Sequence, residues 1–130
     1  MSQIRILKQS LFVIFLLVMA SACTYDFVEM PEPDPIDPTD TISFQSAVAP
    51  IFSDGNKCTA CHSTGETAPD LTPDRAYNAL VPAYVNLQDP EASAIYWFTH
   101  PQSETHSWKK YSLSEANIIL GWIQQGAQNN

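Results

Sequence analysis

Cys58-Thr59-Ala60-Cys61-His62 is the stretch on which the reading of this chain turns. Two thiols three positions apart share one side of a helical turn, and an imidazole four positions after the first thiol lies near the same face. Both sulfurs can then add to the vinyl groups along one edge of a haem while His62 offers a ring nitrogen to the iron. C-x-x-C-H is the attachment sequence of a covalent c-type haem. The same residues admit two other chemistries. A dithiol redox pair would follow a buried strand and open a helix, and no long apolar strand precedes Cys58. A zinc site could draw on Cys58, Cys61, His100 and His106, but the gap between the two pairs is far longer than in a zinc finger, and His62 would have no role.

The chain has 130 residues and three cysteines, and it opens on a targeting pattern. Arg5 and Lys8 precede an apolar run over residues 11–20, too short to span a bilayer comfortably, and Ala20-Ser21-Ala22 supplies small residues for cleavage. Cys23 follows directly. This arrangement resembles a bacterial lipoprotein signal, with Ala20 where such signals usually carry leucine. The resemblance implies a signal peptide over residues 1–22 and a lipid on Cys23. An ordinary signal peptide would instead leave Cys23 as a spare thiol, a liability in an exported protein. With one cysteine for lipid and two for haem, no disulfide remains to be made. Export also agrees with the motif, because c-type haem is normally attached outside the bacterial cytoplasmic membrane.

Loss of Arg5 and Lys8 takes the basic count from 6 to 4 against 14 acids, moving the formal charge from −8 to −10. That balance argues against a nucleic-acid partner and favours a basic docking face on any protein partner. Six of the acids lie in residues 23–40 among Pro31, Pro33, Pro35 and Pro38. Closely spaced prolines favour extended backbone and the carboxylates repel one another, so this segment reads as a tether that holds the next domain off a membrane surface.

Residues 41–130 read as the folded domain, all-α with three to four helices. Phe44, Val48, Ile51 and Phe52 recur at helical spacing, and Pro50 should bend or end that helix close to the motif. Residues 53–56 form a turn rich in Asp, Gly and Asn. Thr72-Pro73-Asp74 gives a capping hydroxyl, a proline and an acid at a helix start, and Asp89-Pro90-Glu91 repeats the signal ahead of an aromatic run over residues 92–98. That run suits a core or the wall of a haem pocket equally. Ser112-Leu113-Ser114-Glu115 is a capping box for a last helix with Ala116, Ile119, Leu120 and Ile123 on one face, widened by Ile118 and Trp122 and stopped by Gly126. Large apolar side chains are few, so a bound haem should complete the core.

Two further stretches widen the argument beyond the pentapeptide. Ala68-Pro69-Asp70-Leu71 follows the motif, and Trp122-Ile123 leads into Gly126-Ala127 at the end of the last helix. Together with C-x-x-C-H they resemble the small single-haem cytochromes c, in which a Gly-Pro-x-Leu stretch follows the motif; Ala68 stands here for the glycine. The resemblance implies that the Pro69 carbonyl orients His62, that Leu71 packs on the haem, and that the first and last helices cross nearby, with Gly121 allowing close approach.

The sixth iron ligand in that family is often methionine, yet the methionines here are Met1, Met19 and Met30, all ahead of the domain. By resemblance His106, in the loop before the last helix, is the distal ligand and His100 the reserve; an iron without a sixth protein ligand is the other alternative. Arg75 either pairs with a haem propionate or is solvated. The implied function is one-electron transfer between redox partner proteins by a membrane-anchored cytochrome facing the periplasm or cell surface, with no substrate chemistry of its own. An open iron site would instead suit peroxidase-like or gas-binding chemistry, and a haem-free chain would be a zinc-stabilised interaction module.

Overall fold

Phe44, Val48, Ile51 and Phe52 are all buried, at 0%, 0%, 8% and 0% exposure, on a helical segment that changes its winding part-way. Its first turn, Phe44–Val48, is π-helical, with Ser43 capping it by accepting from Ser46 N, and it runs directly into α1 (Ala49–Ser53). The winding changes from π to α just before Pro50, and the segment ends at Ser53, close to the motif. Pro50 sits in the first turn of α1, where no N–H is needed, and the wider preceding turn is closed by Ala49 N donating to Phe44 O. The segment stops where Asp54 turns extended, and Gly55 and Asn56 then take positive φ of 60° and 54° to deliver the chain to Lys57.

The computed structural model describes residues 40–130 continuously, together with Gln3, Arg5, Ile6, Lys8 and Asp37. The chain forms two compact units, Met1–Pro31 and Glu32–Asn130. In the first, the four described residues are helical. The expected cleavage site, Cys23 and the tether prolines lie outside the described residues. Among the described residues no helix is long and apolar enough to cross a membrane.

The second unit is all-α: its described residues hold helices and turns and no strand. After α1 come α2 (Ala76–Leu80), α3 (Ala94–Trp97) and α4 (Leu113–Gln124), with 3-10 turns at Asp54–Asn56 and Pro90–Ala92. Two expected helix starts shift. The Thr72 carbonyl does accept from Arg75 N and Ala76 N at 2.9 and 2.8 Å; its hydroxyl donates to Asp70 Oδ1 at 2.6 Å, and α2 begins at Ala76 with no side-chain cap. The run over residues 92–98 is split at Ser93, which is extended, buried and accepts from Asn86 N at 2.9 Å.

Helix α4 has the expected capping box, formed by Ser112 and Glu115, and Gly126 follows it with φ 96°. Its buried face is Ala116, Ile119, Trp122 and Ile123; Leu120 is only half-buried, and the indole takes the central place. The Trp122 and Tyr77 ring centres each lie 5.2 Å from that of Phe44, so α4 and the first helical turn meet over an aromatic cluster. The polar ends of these rings find carbonyls: Trp122 Nε1 donates to Gln128 O at 2.9 Å and Tyr77 Oη to Ala127 O at 3.0 Å. Alongside them Gln125 accepts from Ile42 N and donates to Asp40 O, each at 2.9 Å. Sealing this end of the domain leaves the chemistry-bearing loops at the other end of α1.

Candidate functional site

The turn after α1 positions the motif. Cys58 N and Thr59 N both donate to Phe52 O, at 2.9 and 3.3 Å, tying the motif to the end of the buried helix. Cys61 N and His62 N then donate to Cys58 O at 3.1 and 2.9 Å, which closes one helical turn through the pentapeptide. Cys58, Cys61 and His62 all line a single cleft of about 410 Å3, as the spacing predicts. That volume falls within the roughly 300–1,000 Å3 of ordinary ligand sites. Both thiols are free; Cys58 is half-buried and Cys61 exposed.

The loop over residues 63–71 returns to the motif through Thr67 N donating to Cys61 O at 3.1 Å and Leu71 N to His62 O at 2.9 Å. It brings the Pro69 carbonyl to 3.2 Å from His62 Nδ1. A carbonyl only accepts, so Nδ1 carries the hydrogen and Nε2 keeps the lone pair a metal needs. Leu71 is buried at 4% exposure and lines the cleft. The structure thus joins Pro69 to His62 and places Leu71 on the same cleft.

His106 lies across the same cleft. Its ring centre is 6.3 Å from that of His62, the planes inclined by 31°, and its Nδ1 is buried without a hydrogen-bond partner. Two imidazole nitrogens about 2 Å from a shared metal, with ring centres set back by roughly 1 Å each, give a separation of about 6 Å. The residues present thus fit an iron held between them: two imidazoles with their ring centres at that separation, beside two free thiols. His100 is placed differently. It stacks on Trp97 at 5.7 Å and 14°, accepts from Gln102 N through Nδ1 at 3.2 Å, and lines a separate pocket with Asp89 and Glu91. Burial holds its pKa below the ordinary histidine value, with Lys110 adding to the shift. Among the described residues no group of three or more His, Cys, Asp or Glu is placed to hold a metal ion.

The remaining walls of the cleft were not identified from the sequence. Buried Ile95 and Tyr111 form the floor, and Phe98 and Trp108, exposed at 51% and 81%, stand at the mouth. Only the aromatic run over residues 92–98 hinted at them. Burial pushes the Tyr111 phenol well above its ordinary range, so it is a neutral wall. Burial likewise raises the Cys58 thiol, against the opposing pull of Lys57 and Lys109. Lys57 and Lys109 both line the cleft, so its edge is basic in an acidic chain. Arg75 has a 64% exposed side chain 3.9 Å from Asp70, the solvated placement.

Lys57 also pairs with Glu115 Oε2, which in addition accepts from Ser112 N at 2.7 Å, so one carboxylate joins the motif to the N-terminus of α4. Burial alone would raise the Glu115 carboxyl, but the Lys57 ammonium and the Ser112 N–H outweigh it and hold the group below its ordinary value. A depressed folded pKa contributes stability that is complete above the unfolded value of 4.5 and is lost as pH falls through the folded value. Glu115→Gln should therefore cost about 1 kcal/mol near neutral pH, a difference that vanishes in acid; thermal melts of both chains across pH measure it.

No protein-family model matches the chain, and neither a curated protein nor a solved structure does.

Proposed function

We propose that this chain is a membrane-tethered c-type cytochrome that carries single electrons. In this reading a cytochrome c-like domain is joined to one haem through Cys58 and Cys61, ligated by His62 and His106, and held at the membrane by a lipid on Cys23. The observation that carries it is the placement of His62 and His106, ring centres 6.3 Å apart, on the cleft that the two motif cysteines line. Bound there, the haem supplies a one-electron Fe(III)/Fe(II) couple, at a lower potential than a His/Met site would give.

The chain's own residues account for the rest. Cys58 and Cys61 anchor one edge through thioether bonds. The Pro69 carbonyl keeps His62 in the tautomer whose Nε2 binds metal. Leu71, Ile95 and Tyr111 exclude water from the floor, and Phe98 and Trp108 flank the mouth, where a redox partner protein would approach. With His62 and His106 both holding the iron, no position would be left open on it, which would favour electron transfer over peroxidase-like or gas-binding chemistry. The export signal and the acidic, proline-rich tether support placement on the outer side of a bacterial cytoplasmic or outer membrane.

An absorption spectrum of the full chain, exported from a host with haem-attachment machinery, tests the reading. Low-spin bands in the reduced protein, with a haem stain that survives denaturing electrophoresis, are expected; a colourless protein would overturn it.

A further inference from the structure

The loop that carries Pro69 is held by a latch of its own. Asp70 Oδ2 accepts from Thr64 Oγ1 at 2.6 Å, and Oδ1 accepts from Thr72 Oγ1 at 2.6 Å and Thr72 N at 3.1 Å. One carboxylate thus ties the outgoing arm of the loop, at Thr64, to the returning arm, at Thr72. These bonds, first of all that from Thr64, hold the Asp70 carboxyl below its ordinary value, so it is ionised and the latch is charge-assisted. Pro69 has no N–H with which to anchor itself, and the peptide unit that bears its carbonyl is the one joining it to Asp70. The direction of that carbonyl therefore follows from how Asp70 is held.

We propose that Asp70 is a positioning residue for His62: its latch on Thr64 and Thr72 aims the Pro69 carbonyl at His62 Nδ1 and so sets the basicity of the axial imidazole. The assignment rests on the haem reading above. It extends that reading from the groups that touch the iron to the side chain that holds one of them in register. Thr64 and Thr72 serve the same function from the two flanks, while Arg75, solvated at 3.9 Å, contributes little. The backbone bonds at Thr67 and Leu71 close the loop on either side of Pro69, and the Asp70 side chain adds ties to both of its arms.

The test compares haem-loaded full chains carrying Asp70→Ala, Asp70→Asn, Thr64→Val and, as a charge control, Asp74→Asn at an exposed carboxylate between the loop and α2. Two quantities are read: the midpoint potential, and the exchange rate of the His62 Nδ1–H by NMR of the reduced protein. Asp70→Ala should raise the potential and speed exchange by roughly tenfold or more, as loss of a charge-assisted hydrogen bond implies. Asp70→Asn, which keeps one acceptor oxygen, and Thr64→Val, which removes one arm, should fall between it and the parent, and Asp74→Asn should match the parent. Unchanged exchange in Asp70→Ala, or an equal rise in potential from Asp74→Asn, would overturn the proposal. If Asp70→Ala does not accumulate, Thr64→Val decides by the same criterion. A parent chain without haem refutes the haem reading itself, a distinct outcome.

Discussion

A chain carrying both Cys58→Ser and Cys61→Ser is expected to lose covalent haem and, with it, the cooperative thermal transition of the domain. The buried apolar set explains why. Of its sixteen side chains among the described residues, four are the alanines Ala49, Ala76, Ala116 and Ala127, and the aromatic cluster of Phe44, Tyr77 and Trp122 serves only the end where α4 meets the first helical turn. At the other end the walls face a cleft of about 410 Å3, with Trp108 exposed at 81% and Phe98 at 51%. A full-size apolar side chain contributes about 1.5–3 kcal/mol when it leaves water, and small domains with thin cores commonly depend on a metal, a disulfide or a cofactor for net stability. Circular dichroism melts of parent and double variant, beside a haem stain, measure the effect. A sharp transition in the stain-negative variant would show that the protein core suffices.

The parts of the fold that were legible in the sequence are those whose signals are local and redundant. Helix α4 has a reciprocal cap at Ser112 and Glu115, a periodic apolar face and a glycine stop, and each leads to the same element. The expectations that failed did so where a second group competed for the first. The Thr72 hydroxyl is a good cap in isolation, but its O–H is given to the Asp70 carboxylate at 2.6 Å, which draws the side chain back towards the preceding loop, and no side chain caps α2. The Ser93 hydroxyl accepts from Asn86 N, seven residues back, and that tertiary bond breaks a run whose composition alone reads as continuous helix. Pro50 does mark a change of winding, and the π-turn before it shifts the bonding so that proline falls at the start of the next segment.

The site divides along the same line. Cys58, Cys61 and His62 are consecutive enough for helical geometry to join them, and their turn is closed by bonds to Cys58 O. Pro69 was legible through a resemblance of motifs, and the 3.2 Å contact with His62 is a backbone carbonyl that no side-chain pattern would have revealed. Ile95, Phe98, Trp108 and Tyr111 were illegible as a group, since the cleft they share assembles from two loops and a short helix separated in the chain. The Lys57 pairing with Glu115 was hidden for the same reason: each residue has a sufficient local explanation, as a solvated lysine and as half of a capping box.

His106→Ala is expected to convert the loaded protein from a low-spin spectrum indifferent to small ligands into one that binds carbon monoxide rapidly when reduced and cyanide rapidly when oxidised. The placement of His106 leads there: its ring centre lies 6.3 Å from that of His62, and both residues line the cleft that the motif cysteines share. Neither a methionine nor His100 can replace it, because the methionines all precede the domain and His100 is turned onto Trp97 with its Nδ1 engaged by Gln102. His100→Ala should accordingly leave the spectrum unchanged, which separates loss of a ligand from general damage to the loop. The potential should shift as well, since removing one of two strong imidazole donors alters the relative stability of the oxidised iron. Stopped-flow mixing of carbon monoxide with the parent and the two variants reads the sixth position directly. Rapid binding by the parent, unchanged in His106→Ala, would remove His106 from the iron and favour the peroxidase-like or gas-binding alternative.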